Sequence, residues 1–286
     1  MNNGGNYKRN ITALILLATL TIFLCYSVYG ALCGGTTCAP GTSVSIVNSK
    51  PNITDVTPPG AVTLIPNNVK AITIKFNVTD PNGAGDINKS TANATVFKVG
   101  ETSRYNYTCT NISETADTVE FECGIDMQFY DGDGEWTINV SIQDNSEVWE
   151  TNETVTFTVN TLDNVDMDDP TLEWNNLVPN TEDNEGEHIT FTNKGNQDYA
   201  SINVTGQNAT SGSDNLNSTN FAVDIDTGQV SGQTYLLDNA TLEWVGASLS
   251  HGATETELMY SYLDVPALQP FGDYTSIANW DVLFIS

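Results

Sequence analysis

From residue 71 to 78 the chain reads AITIKFNV, with Ile72, Ile74, Phe76 and Val78 in one phase. Asn77, the acceptor of an Asn-x-Thr sequon, falls in the other phase. Successive side chains of an extended strand point to opposite faces, so this pattern predicts a strand with one buried and one solvated face. The same period returns at Trp136, Ile138, Val140 and Ile142, with Asn139 in the polar phase. Asn152 precedes Val155, Phe157 and Val159 in the polar phase, Asn203 sits between Ile202 and Val204, and Asn106 between Tyr105 and Tyr107. A glycan on each of these asparagines would point to solvent.

Alternating segments near 70–78, 92–99, 104–110, 118–125, 135–143 and 154–160 predict one antiparallel β-sandwich, with turns at DPNG (80–83) and DGDG (131–134). The acidic stretch 162–170 breaks the pattern, and strand-like runs resume at 171–178, 187–193, 199–206, 221–225, 240–246, 256–265 and 277–285. No sustained helical periodicity follows residue 33. The expected architecture is all-β, two tandem Ig-like antiparallel sandwiches after an N-terminal signal or anchor segment. Its boundaries are 1–32 for that segment, 33–60 for an extended arm carrying cysteines, 61–161 for the first sandwich, 162–170 for the linker and 171–286 for the second sandwich. A chain of 286 residues has room for two such cores.

Lys8 and Arg9 precede an apolar run over 11–32, which reads as a cleaved signal peptide or as an uncleaved signal anchor long enough to span a bilayer. Either reading places the rest of the chain outside the cell, at the surface or secreted, and there the sequons acquire meaning. Twelve follow the leader, at Asn52, Asn77, Asn88, Asn93, Asn106, Asn111, Asn139, Asn152, Asn203, Asn208, Asn217 and Asn239. N-linked glycans are the expected attachment.

Cys25 belongs to the leader, leaving Cys33, Cys38, Cys109 and Cys123. Cys109 and Cys123 flank a hairpin with its turn near 113–116, which brings them almost opposite each other and favours a cross-strand disulfide. Cys33 and Cys38 then close a small loop after the leader. The cysteines do not form the paired CxxC knuckles of a zinc site.

Charge narrows the partners. Thirty-six acidic against nine basic residues give −27, and Lys194 is the one basic residue after Arg104. A phosphate backbone would be repelled, so nucleic acid is not an expected ligand. Carboxylates cluster in three places: Asp80 and Asp86 with Asn82; Asp131 and Asp133 with Glu135; and Asp163, Asp166, Asp168 and Asp169 at the domain boundary. Hard oxygens in loops are what calcium takes, and the boundary set is the first candidate for a metal site. The alternative is that Asp-Gly and Asn-Gly make tight turns with no metal. No HExxH, GxSxG, P-loop or GxGxxG pattern is present, and the two histidines, His188 and His251, read as surface or capping residues. The chain is therefore read as a non-enzyme. Most of the five tryptophans lie in strand phase and read as core.

FNVTDPNGAGDI (76–87), WTINVSIQD (136–144), ITFTNKGN (189–196) and INVT (202–205) resemble the strand-and-turn signatures of Ig-like domains in archaeal cell-envelope proteins, over most of 60–286. The resemblance implies a surface protein of S-layer, filament-subunit or adhesin type and brings no catalytic residues with it. The expected function is a structural subunit of an extracellular layer or filament, self-associating through sheet edges or a strand donated by the 34–60 segment. The alternative is a monomeric adhesin or carbohydrate-binding surface module.

Overall fold

The structure is a computed structural model and describes residues 42–228, 232–236 and 240–286. The leader, with its proposed anchor over 11–32, as well as Cys33, Cys38 and Asn239, lies outside the described residues. Every strand ladder is antiparallel and no α-helix occurs among the described residues, so the fold is all-β, as expected. Residues 48–286 form one compact unit. Residues 42–47, the described part of the preceding unit, carry no strand, and Val44, Ile46 and Val47 are exposed.

The first eight strands are β1 (Asn52–Thr57), β2 (Val69–Thr79), β3 (Ile87–Phe97), β4 (Arg104–Asn106), β5 (Thr110–Glu114), β6 (Thr118–Gln128), β7 (Gly134–Asp144) and β8 (Trp149–Val159). They make two four-stranded sheets, β1-β2-β6-β5 and β4-β3-β7-β8. Strict alternation explains the packing. Ile72, Ile74, Phe76 and Val78 of β2 meet Val119, Phe121, Cys123 and Ile125 of β6, in register across an eleven-residue ladder. Trp136, Ile138, Val140 and Ile142 of β7 face them from the other sheet, and all belong to one apolar cluster. The Trp136 indole satisfies its N–H on the Gly132 carbonyl at 2.9 Å, which lets this large ring be fully buried.

The remaining strands are β9 (Val165–Met167), β10 (Thr181–Glu185), β11 (Ile189–Asn193), β12 (Ser201–Thr205), β13 (Ala209–Ser211), β14 (Asp214–Leu216), β15 (Phe221–Asp224), β16 (Thr234–Tyr235), β17 (Thr241–Glu243), β18 (Thr256–Val265), β19 (Thr275–Ser276) and β20 (Asp281–Ile285). The main sheet runs β16-β15-β18-β11-β9, with β10 also on β18, beside the smaller sheets β17-β12-β20 and β14-β13-β19. Ile202 and Val204 of β12, Val223 of β15, Met259 of β18 and Trp244 are buried in a second apolar cluster. Leu162 packs on the first cluster and Val165 on the second, so the change of core falls between them.

Four expectations are corrected. The segment read as an extended arm supplies β1: Ile53 and Val56 are buried, and the strand pairs with β2 from Asn52↔Thr79 to Thr57↔Lys75, although Pro51, Pro58 and Pro59 bracket it. An edge strand tolerates such prolines at its ends because only one side needs donors. The acidic linker contributes β9, which pairs with β11 through Phe191↔Met167. No strand forms over 171–178; Leu172, Trp174 and Leu177 instead pack as an irregular cover on the second core. The run 104–110 is two strands in different sheets. Asn106 breaks it by accepting the Thr108 N–H at 2.8 Å while donating to the Gly124 carbonyl at 2.8 Å, and the chain crosses between sheets there.

Candidate functional site

Eleven of the twelve sequon asparagines lie among the described residues, and none is buried. Their distribution is uneven. The sheet β4-β3-β7-β8 alone carries Asn88, Asn93, Asn106, Asn139 and Asn152. Asn52, Asn77 and Asn111 belong to the opposite sheet, while Asn203, Asn208 and Asn217 belong to the second half. Asn52, Asn77, Asn93, Asn139 and Asn203 each lie between two buried neighbours, as strict alternation requires, whereas both neighbours of Asn106, Asn111 and Asn152 are themselves exposed. Asn139 is the least free: its Nδ2 donates to Glu153 on β8, and its Oδ1 is shielded from solvent with no partner.

Cys109 and Cys123 are joined by a disulfide, with Cα atoms 4.5 Å apart. The ladder Thr110↔Glu122 explains the meeting, because one step back along β5 brings Cys109 opposite Cys123. The bond therefore pins the crossover between the two sheets to the middle of the core, where Cys123 is fully buried. Tyr105 and Tyr107, just before that crossover, are exposed and pack ring against ring at 4.4 Å.

The acidic clusters separate into different kinds. At the boundary, Asp168 accepts the Thr190 N–H at 2.7 Å and the Asp169 N–H at 2.8 Å. Asp169 accepts from the Thr171 N–H and hydroxyl at 2.9 and 2.6 Å, and Asp166 accepts the Met167 N–H at 3.1 Å. These hydrogen bonds hold the Asp168 and Asp169 carboxyls below the ordinary carboxylate range. Asp163 lies by the Tyr199 hydroxyl, which burial first and Asp163 second push up. Asp166, Asp168 and Asp169 are each engaged by main-chain N–H groups and Asp163 lies by Tyr199, and the four do not form a group of ligand-distance carboxylates among the described residues.

The second cluster is also accounted for without metal. Asp131, 1% exposed, receives Arg104 through Nε at 3.0 Å and Nη2 at 2.5 Å, and accepts the Gln128 N–H at 2.8 Å. Arg104 lies 5.5 Å from the Tyr130 ring centroid, and the Asp131 hydrogen bond holds its guanidinium even more firmly protonated. Asp133 and Glu135 accept hydroxyls from Thr161 and Thr156.

Asp80 and Asp86 of the first cluster behave otherwise, because the fold adds Asp144 to them. The three offer carboxylate oxygens within 4.8 Å of one another, the one such group of three among the described residues. Burial pushes the Asp80 carboxyl above its ordinary range; the Asn82 N–H opposes this, and the charges of Asp86 and Asp144 add to it. Burial also acts to raise Asp144, but hydrogen bonds from Asn48 Nδ2 and the N–H groups of Val148 and Ser146 outweigh it and hold Asp144 low. Asp144 was missed in the sequence because it lies far along the chain from Asp80; its signal is a carboxylate closing β7 immediately before a polar turn.

The two histidines are engaged structurally. His251 lies between Asp198, at 2.8 Å from Nδ1, and Glu101, at 3.3 Å from Nε2, while His188 packs on Tyr260 at 5.5 Å. Among the tryptophans, Trp136 and Trp244 are fully buried, Trp174 and Trp280 cover the second core, and Trp149 is half exposed.

No protein-family model matches the chain, and no curated protein matches it. Among solved structures it is similar to one described as "Chaperone-tip adhesin complex is vital for synergistic activation of CFA/I fimbriae biogenesis", at 12% identity and a TM-score of 0.30, covering 86% of this chain and 77% of that one. A likeness at that level sets no constraint on fold or function.

Proposed function

We propose that this chain is a structural extracellular glycoprotein, a subunit of a cell-surface layer or filament. The observation that carries the reading is the placement of the sequons. All eleven described asparagines lie outside the two cores, and five are concentrated on the sheet β4-β3-β7-β8. Glycans there would coat one face and leave assembly to the edges. A buried cross-strand disulfide and an acidic, repulsive surface suit the same setting.

Edges differ in how they are guarded. The long edge strand β8 carries Glu150, Glu153 and the Asn152 sequon, all of which discourage pairing. The edge strand β20 instead exposes Leu283 and Ile285. In this reading the segment bearing Val44, Ile46 and Val47 pairs with such an edge of a second copy. The test is glycopeptide mass spectrometry of the exported chain, together with sizing of wild type and V44D/I46D/V47D. The expected result is occupancy at several sequons, with large assemblies for wild type and small species for the variant. Unglycosylated protein, or assembly that is equal in both, contradicts the reading. The exposed Tyr105–Tyr107 pair favours the alternative of a carbohydrate-binding surface module; in that case the wild type is monomeric and Y105A/Y107A loses glycan binding.

A further inference from the structure

The end of the first sandwich that holds Asp80, Asp86 and Asp144 is built like a site with a missing positive charge. Asp80 and Asp144 are 1% and 0% exposed, although carboxylates are rarely buried without a cationic partner. Asp144 is well supplied with donors: Oδ1 accepts the Ser146 and Val148 N–H groups at 2.8 and 2.9 Å, and Oδ2 accepts from Asn48 Nδ2 at 2.8 Å. Asp80 is not. Its Oδ1 accepts the Asn82 N–H at 2.7 Å, but its Oδ2 is buried with no hydrogen-bond partner. Among the described residues, no lysine, arginine or histidine forms an ion pair with any of the three.

The backbone around the group is set independently of any ion. The Gly83 N–H reaches the Asp80 carbonyl at 2.9 Å and the Asp86 N–H reaches the Gly83 carbonyl at 3.0 Å. Gly83 has φ of +100°, which only glycine adopts freely and which folds the loop back on itself. The Asn145 N–H on the Asp86 carbonyl, at 2.8 Å, ties this loop to the turn after β7. The carboxylates are thus brought together by main-chain contacts, and their mutual repulsion is left without a compensating charge.

We propose that Asp80, Asp86 and Asp144 bind a calcium ion. All three supply hard oxygens, and neither a thiol nor an imidazole belongs to the group, which disfavours zinc and copper. Calcium takes six to eight oxygens in adaptable geometry, so three carboxylates leave positions for water and side-chain amides. Magnesium, which demands a tight octahedron and gives up water reluctantly, suits a loop-built group less well. The half-buried Asp86 gives the ion its access. The consequence reaches the start of the unit: Asn48 holds Asp144, and the Ser49 N–H holds Asn82 Oδ1 at 2.8 Å, so an ion here also stiffens the place where the chain joins β1.

The test uses the full chain and calcium chloride alone, read by isothermal titration calorimetry and by thermal unfolding against chelator and against magnesium at matched ionic strength. Wild type is expected to bind one tight equivalent of calcium and to unfold several degrees higher with it. D86N, which removes a charge with little change in volume, is expected to weaken binding by about tenfold or more, whereas D166N/D168N binds as wild type does. Identical unfolding in calcium and chelator overturns the proposal. So does an equal response to magnesium, unchanged affinity in D86N, or loss of binding in D166N/D168N.

Discussion

Asn196 Nδ2 donates to the main-chain carbonyl of Asp131 at 3.1 Å, joining a loop of the second half to a turn of the first. The same amide donates to the Asn160 carbonyl at 3.1 Å and accepts the Leu162 N–H at 2.7 Å. Only 2% of Asn196 is exposed, so one buried side chain satisfies three main-chain groups where the two cores meet. Gly195 beside it lies so close to Leu162 that a Cβ would come within 2.0 Å of that residue's carbonyl oxygen.

Asn196→Ala strands those three groups. The expected cost is about 1–3 kcal/mol, the usual penalty for leaving buried polar groups unpaired. Urea denaturation measures it, and a second transition in the variant would show the two halves unfolding separately.

Removing the Cys109–Cys123 bond by the double serine variant frees a loop with a sequence separation of 14. The expected loss is about 3 kcal/mol, mostly through a less restricted unfolded chain. Chemical denaturation of wild type with and without reductant, beside the variant, checks it: reductant lowers wild type to the level of the variant and leaves the variant unchanged.

Arg104→Ala leaves the Asp131 carboxylate buried beside Gln128 alone. A buried charge deprived of its partner typically costs about 3–5 kcal/mol. Arg104→Lys keeps the charge but not the two-nitrogen contact, so it recovers only part of the loss. Both values are read from denaturation midpoints.

The Thr190 hydrogen bonds depress Asp168 below its unfolded value of 3.8, so the folded state releases this proton more readily than the unfolded state. The resulting stability is fully present above the unfolded pKa and is lost as pH falls through the lower folded pKa. Asp168→Asn is therefore destabilised relative to wild type at neutral pH, and that difference shrinks as the pH drops below about 4. Denaturation of both proteins across the acid range provides the measurement.

The first half was readable in the sequence because its strands are long and alternate strictly, as Ile72 to Val78 and Trp136 to Ile142 do. The second half was less so. Strands of two to five residues, such as Thr234–Tyr235 and Ala209–Ser211, are too short to establish a period. β1 was hidden by the prolines at its ends, and Ile53 and Val56 are not in simple alternation because the register shifts between Ile53 and Asp55. The cysteine pair was visible from the hairpin between them. The carboxylate triad was only two-thirds visible, because Asp144 is brought beside Asp86 by the β3–β7 pairing Ile87↔Asp144, a long-range contact with no local spacing to announce it.

Electron microscopy of the native protein taken from the cell surface tests the structural role most directly. The account predicts a lattice or filament in which this chain is the repeating subunit, with glycan density over the sheet β4-β3-β7-β8. Isolated, monomeric particles with that face bare would contradict it.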